Sequence, residues 1–168
     1  MKKILSIPIL LGIFFSVFLI GNVVAEEKEG LEIGNKAPDF EVTTLKGEEI
    51  QLSDLEGKPV MLNFWATWCP PCRTEMPDMQ KFQENHDVTV LAVNLTDTEA
   101  NKESVNQFVE QFGLTFQVGL DSDGSVAKTY RINPIPTTFM IDSKGEISHK
   151  TFGAMKYETM VEELEKMN

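Results

Sequence analysis

The sequence predicts an α/β fold, a central mixed sheet with helices on both faces, preceded by an N-terminal apolar segment. Three observations carry this expectation. Val60-Met61-Leu62-Asn63-Phe64-Trp65 is a short, mostly apolar run without a charge, the pattern of a strand buried on both faces. Val88-Thr89-Val90-Leu91-Ala92-Val93 is a second buried strand. Elsewhere apolar residues fall into helical stripes. Val105, Phe108, Val109 and Phe112 lie at i, i+3, i+4 and i+7, and Tyr157, Met160, Val161, Leu164 and Met167 mark a closing amphipathic helix. A chain of 168 residues has room for one domain of ordinary size.

The elements follow in order. Residues 38–42 and 49–52 alternate apolar and polar side chains around Lys46-Gly47, an opening hairpin. Residues 53–57 read as a short turn or 3₁₀ piece. After the strand at 60–65, residues 73–84 read as a helix, with Pro71 suited to its first turn and Pro77 expected to kink it. The strand at 88–93 leads to the helix at 101–112, which Gly113 ends. Residues 116–118 form a short strand and 125–130 a short helix. Residues 136–141 form a strand, Asp142-Ser143-Lys144-Gly145 a hairpin turn, and 146–152 the partner strand. The methionines of the last helix serve as core filler. No internal repeat or low-complexity block interrupts the order β-α-β-α-β-α-β-β-α that follows the opening hairpin.

Residues 1–25 stand apart from this domain. Lys2 and Lys3 precede a run at 4–24 without a charge, long enough to span a bilayer with the lysines on the cytoplasmic side. Val23-Val24-Ala25 also offers a small-residue cleavage site. The run exceeds the roughly 7–15 apolar residues of a signal peptide, which favours an uncleaved signal-anchor over secretion after cleavage at Ala25. Both readings place the remainder outside the cytoplasm. Residues 26–36, polar and containing Gly30 and Gly34, suit a tether, leaving 37–168 as the domain. The two lysines are the only charges of residues 1–25, so the rest carries all of the acidic excess behind the net charge of −11. That excess argues against nucleic acid and anionic membrane surfaces as partners.

Both cysteines of the chain sit in one pentapeptide, Trp68-Cys69-Pro70-Pro71-Cys72, at the junction of strand and helix. At a helix N-terminus the dipole and free N–H groups favour a thiolate, drawing the Cys69 thiol below its ordinary value. A disulfide closing so short a loop makes a poor staple, and the spacing suits electron exchange better. A zinc site needs about four ligands, and no second cysteine pair exists; His86 and His149 stand alone. No metal or other cofactor is expected.

Phe64-Trp65-Ala66-Thr67-Trp68-Cys69-Pro70-Pro71-Cys72, followed far downstream by Ile135-Pro136-Thr137, resembles the thioredoxin superfamily. Gly34-Asn35-Lys36-Ala37-Pro38-Asp39-Phe40 and the extra helix at 101–112 resemble its TlpA/ResA branch. Members of that branch are membrane-anchored, extracytoplasmic thiol-disulfide oxidoreductases, several of which act in cytochrome c maturation. The resemblance covers residues 34–168 and implies a thioredoxin-like fold with an N-terminal hairpin and an inserted helix. It also implies a cis peptide before Pro136, set against the cysteines. That bond would expose the Ile135 backbone to a substrate strand, and the absent N–H would discourage metal capture. The alternative is a trans-proline at a strand start.

The implied chemistry is thiol-disulfide exchange: Cys69 attacks a substrate disulfide and Cys72, one helical turn inward, resolves the mixed disulfide. Burial raises the Cys72 thiol, so resolution needs a base. Many thioredoxins carry a buried aspartate six positions before the first cysteine; here Asn63 stands there and cannot titrate. Glu75, three residues after Cys72 on the same helix face, is the replacement, and the ResA-like branch has an activity-linked glutamate at this offset. The competing reading is a surface glutamate that complements the helix dipole. Trp65 reads as core, whereas Trp68 flanks the cysteines and is placed to contact substrate. Arg73 either stabilises the Cys69 thiolate or is a solvated side chain.

The expected function is a monomeric membrane-anchored reductase for a disulfide-bearing exported client such as apocytochrome c. A membrane protein would pass it electrons from the cytoplasm. A disulfide-forming oxidant of the same fold is the alternative direction. A peroxiredoxin-like peroxidase, which shares the Ala37-Pro38-Asp39-Phe40 opening, would need P-x-x-x-T-x-x-C, but Leu62 and Ala66 occupy its proline and threonine positions. A copper chaperone of the Sco type would need C-x-x-x-C and a distant histidine. The spacing departs from that pattern, and only His149 could serve.

Overall fold

The computed structural model describes residues 28–167. The segment expected as a membrane anchor, residues 1–25, lies outside the described residues. Among the described residues no helix is long and apolar enough to cross a membrane.

The elements run β1 (Glu41–Thr44), β2 (Glu49–Gln51), a 3₁₀ turn (Leu52–Leu55), β3 (Val60–Trp65), α1 (Pro70–Asn85), β4 (Thr89–Asn94), a 3₁₀ turn (Thr96–Thr98), α2 (Lys102–Phe112), β5 (Gln117–Leu120), α3 (Ser125–Thr129), β6 (Thr137–Ile141), β7 (Ile147–Phe152) and α4 (Tyr157–Glu165). The strands form one seven-stranded sheet in the order β2-β1-β5-β4-β3-β6-β7. The central β3, β4 and β5 are parallel and joined by helical crossovers, while β1, β6 and β7 add antiparallel pairings. This is the thioredoxin-like α/β architecture.

Strand β3 organises both faces. All six of its residues are buried, and the two-residue period sends Met61, Asn63 and Trp65 one way and Val60, Leu62 and Phe64 the other. Met61 and Trp65 join Met76, Met79 and Phe82 of α1, Val105 and Phe108 of α2, and Met160 and Leu164 of α4. Val60, Leu62 and Phe64 pack with Leu91, Val93, Val126, Tyr130 and Phe139 on the opposite face. Asn63 is the one polar residue of β3 turned toward α1.

Several boundaries differ from expectation. Helix α1 begins at Pro70 rather than Arg73, because prolines in the first turn forfeit only N–H groups that have no intrahelical partner. It continues across Pro77 to Asn85. Residues 28–36, read from sequence as tether, are hydrogen-bonded into the domain. Gly34 N–H donates to Ile147 O at 2.8 Å, and Ile147 N–H to Asn35 O at 2.9 Å. Gly34, at φ +86°, makes the turn that brings this strap back along β7.

Candidate redox site

The carboxyl ends of β3 and β4 and the start of β6 lie at one edge of the sheet, and the cysteines follow β3 there. Cys69 is the N-cap of α1, in extended conformation, and its Sγ accepts from the Cys72 N–H at 3.2 Å. The two cysteines form a disulfide, with Cα atoms 5.3 Å apart. In this oxidised form both are buried, Cys69 2% exposed and Cys72 0%. Trp68, next to Cys69 in the chain, is 55% exposed, with its Nε1 donating to Thr98 Oγ1 at 3.2 Å. Trp65 is fully buried against Phe108, in the core.

Glu75 is not a surface residue. It is 1% exposed, one turn beyond Cys72. Its Oε1 accepts from Asn63 Nδ2 at 2.9 Å and its Oε2 from the Met155 N–H at 3.0 Å. Burial pushes this carboxyl from 4.5 up to about 7; the two hydrogen bonds oppose the rise and the neighbouring Asp78 adds to it. Asn63 also donates to Thr138 Oγ1 at 2.9 Å, directly across the β3–β6 register, while its Oδ1 is buried without a hydrogen-bond partner.

The Ile135–Pro136 peptide is cis, as is Asn133–Pro134. Thr137 pairs with Phe64, so Pro136 sits where β3 runs into the cysteine loop, and Ile135 packs against the cluster that contains Cys69 and Cys72. Pro136 O accepts from Gly153 N–H at 2.8 Å. Arg73 is turned onto the rings of Phe108 and Phe112, 5.0 and 5.2 Å from their centroids, with one nitrogen 3.5 Å from Thr67 O.

Sequence reasoning missed Glu99. Its Oε1 accepts from Thr67 N–H at 2.6 Å and from Asn94 Nδ2 at 2.9 Å, and its Oε2 from Thr67 Oγ1 at 2.5 Å. It thereby ties the residues just before the cysteines to the end of β4. No periodicity or motif marks such a contact between loops. The link from Asn63 to Glu75 and Thr138 was missed as well, since the sequence marks Asn63 only as standing in place of the usual aspartate.

Among the described residues, no three of His, Cys, Asp and Glu are gathered to hold a metal ion. His149 Nδ1 lies 3.2 Å from Glu163, and His86 Nε2 lies 3.1 Å from the Tyr157 hydroxyl.

A sequence model of the AhpC/TSA family matches residues 33–150. The chain is 44% identical over 142 residues to "Thiol-disulfide oxidoreductase ResA" of Geobacillus kaustophilus, covering 83% of this chain and 80% of that protein. It is 36% identical over 166 residues to "Thioredoxin-like protein YneN" of Bacillus subtilis, covering 98% and 97%. Among solved structures, StoA from Bacillus subtilis superposes with a TM-score of 0.68 at 38% identity, over 75% of this chain and 96% of that one.

Proposed function

The chain belongs to the AhpC/TSA family and is a thioredoxin-like thiol-disulfide oxidoreductase, and from that premise we propose that it reduces disulfides in exported proteins such as apocytochrome c. In this reading residues 1–25 anchor a monomeric domain to the cell membrane on its extracytoplasmic side. A membrane protein returns electrons to the Cys69–Cys72 pair. The single observation that carries the proposal is the Cys69–Cys72 disulfide at the N-terminus of α1, one turn before a buried carboxyl.

The chemistry runs in two exchanges. The Cys69 thiolate, favoured by the free N–H groups and dipole of α1, attacks one sulfur of the client disulfide, and the other client sulfur leaves as a thiolate that takes up a proton. Glu75 then takes the Cys72 proton. The Cys72 thiolate attacks Cys69 Sγ, and the second client sulfur leaves with the bonding electron pair. Client disulfide has become dithiol, and the enzyme dithiol has become the disulfide seen here. A carboxyl that titrates near 7 suits proton transfer at neutral pH. Trp68 and the Ile135 backbone beside Pro136 form the contact surface for the client.

The test is the midpoint potential of the Cys69–Cys72 couple, read by tryptophan fluorescence in graded thiol buffers. A value at or below about −250 mV, near the thioredoxin end of the range, supports a reductase. A value near −120 mV marks a disulfide-forming oxidant and reverses the direction.

A further inference from the structure

Two hydrogen bonds decide which oxygen of Glu75 takes up a proton. Oε2 accepts from the Met155 backbone N–H, which remains a donor whatever Glu75 does, so that oxygen stays an acceptor and the proton goes to Oε1. Oε1, however, faces Asn63 Nδ2. A neutral Oε1–H would meet that nitrogen donor against donor. The same amide offers the remedy, because Asn63 Oδ1 is buried and accepts nothing. The remaining partner, Thr138 Oγ1, is a hydroxyl that accepts from Nδ2 or, by rotation, donates to an oxygen in its place.

We propose that Asn63 is a positioning residue that works as an amide switch, presenting Nδ2 to ionised Glu75 and, after a half-turn, Oδ1 to neutral Glu75. The proposal rests on the reading of Glu75 as the base for Cys72. In that step the Cys72 S–H bond breaks, its proton moves to Glu75 Oε1, and the sulfur electron pair attacks Cys69 Sγ. Each orientation of the amide makes two hydrogen bonds and leaves one buried amide atom unpaired. The switch therefore keeps both protonation states of Glu75 bonded, and an aspartate at position 63 would instead add a second carboxyl. The ionisable group that acts on Glu75 is Asp78, on α1 itself; Cys72 lies three residues before Glu75 on the same helix. From β3 and the segment before α4 it is met by Asn63 and the Met155 backbone N–H, neither of which titrates, and Thr138 of β6 reaches it only through Asn63. The first N–H of α4, Tyr157, is held by Asp78 Oδ2 at 3.2 Å.

The test is NMR of the Asn63 side-chain amide in the oxidised full chain in detergent micelles, titrated from about pH 5 to 9. The disulfide keeps the cysteines from titrating, and nearby carboxyls shape the curve only through Glu75. With a switch, both Nδ2 proton resonances move upfield together as pH falls, since both lose their acceptors. In Glu75→Gln both stay at the low-pH positions throughout, because the Met155 N–H holds the glutamine oxygen and turns its amide nitrogen to Asn63. Movement of only the proton facing Glu75, or of neither, overturns the proposal. A second readout is kinetic: Asn63→Ala should slow mixed-disulfide resolution at pH 7 by about tenfold, the worth of one hydrogen bond to a charged group, and leave the first attack by Cys69 within about twofold. Equal slowing of both steps marks a purely structural role and overturns it too. Failure of the base reading looks different: Glu75→Gln then leaves resolution unchanged while the wild-type amide still titrates.

Discussion

Replacing Glu75 by glutamine should remove a specific pH dependence of stability. In the folded protein burial pushes the Glu75 carboxyl from 4.5 up to about 7, more than its hydrogen bonds from Met155 and Asn63 pull it down. Between those values the folded chain holds a proton that the unfolded chain has released. Stability from this group is therefore fully present below about pH 4.5, falls as pH rises, and is lost above about pH 7. The rise corresponds to about 3 kcal/mol, because one pH unit is worth about 1.4 kcal/mol. Glutamine keeps the shape and never ionises. Asp121, whose carboxyl is also raised by burial, contributes equally to both proteins and drops out of the difference. Urea titrations of the oxidised protein, followed by Trp65 and Trp68 fluorescence at pH 5, 6, 7 and 8, measure it. The wild type should lose about 2–3 kcal/mol relative to Glu75→Gln across that series, since part of the loss already lies below pH 5, a relative shift of its urea midpoint by about 1–2 M. Parallel loss of stability in the two proteins would refute the reasoning, since it would mean that Glu75 titrates as an ordinary surface carboxylate.

Three further outcomes are expected. Cys72→Ser should accumulate a mixed disulfide between Cys69 and a disulfide-bearing client, visible on a non-reducing gel, and Cys69→Ser should accumulate none. Glu99→Ala strips the acceptor from three hydrogen bonds that hold Thr67 and Asn94, and should cost about 2 kcal/mol in urea unfolding, less than half of that if the loop re-forms its bonds with water. Trp68→Ala should raise the KM for a protein client by about fivefold or more while changing stability by less than about 1 kcal/mol, because the ring is over half exposed; an unchanged KM would remove Trp68 from the client surface.

Local pattern carried much of the fold. The charge-free run at 60–65 is β3 residue for residue, and the stripe at 105–112 is the buried side of α2, ended at Gly113 with φ +61°. Pairing across the sheet was less legible. Strand β1 lies antiparallel to β5, with Thr43 opposite Leu120, and nothing in the alternation of either strand names its neighbour. The 3₁₀ turn at Thr96–Thr98 escaped for a related reason. Its Thr98 accepts from Trp68, a contact between two loops 30 residues apart in sequence. The strap at 28–36 read as linker because its polar side chains carry little packing signal, whereas backbone hydrogen bonds to Ile147 hold it in place.

The site shows the same division, and Asn63 shows what lay beyond it. From sequence, an asparagine in place of the usual aspartate looked like the loss of a base from β3. In the folded chain Asn63 and Glu75 are hydrogen-bonded at 2.9 Å, so a carboxyl still lies beside residue 63, now carried by α1. Spacing along the helix could place Glu75 on the face shared with Cys72, because three residues are close to one turn. It could not place Asn63 beneath that turn. That contact depends on β3 passing under α1 in this register, with Met61 and Trp65 of the same strand face buried against α1 and α2. A carboxyl on a helix, approached by an amide from a strand and a backbone N–H from the segment before α4, has its geometry set by three elements distant in sequence. The identity of the buried acid could be read from one stretch of chain, whereas the oxygen that takes its proton follows only from the way all three pack.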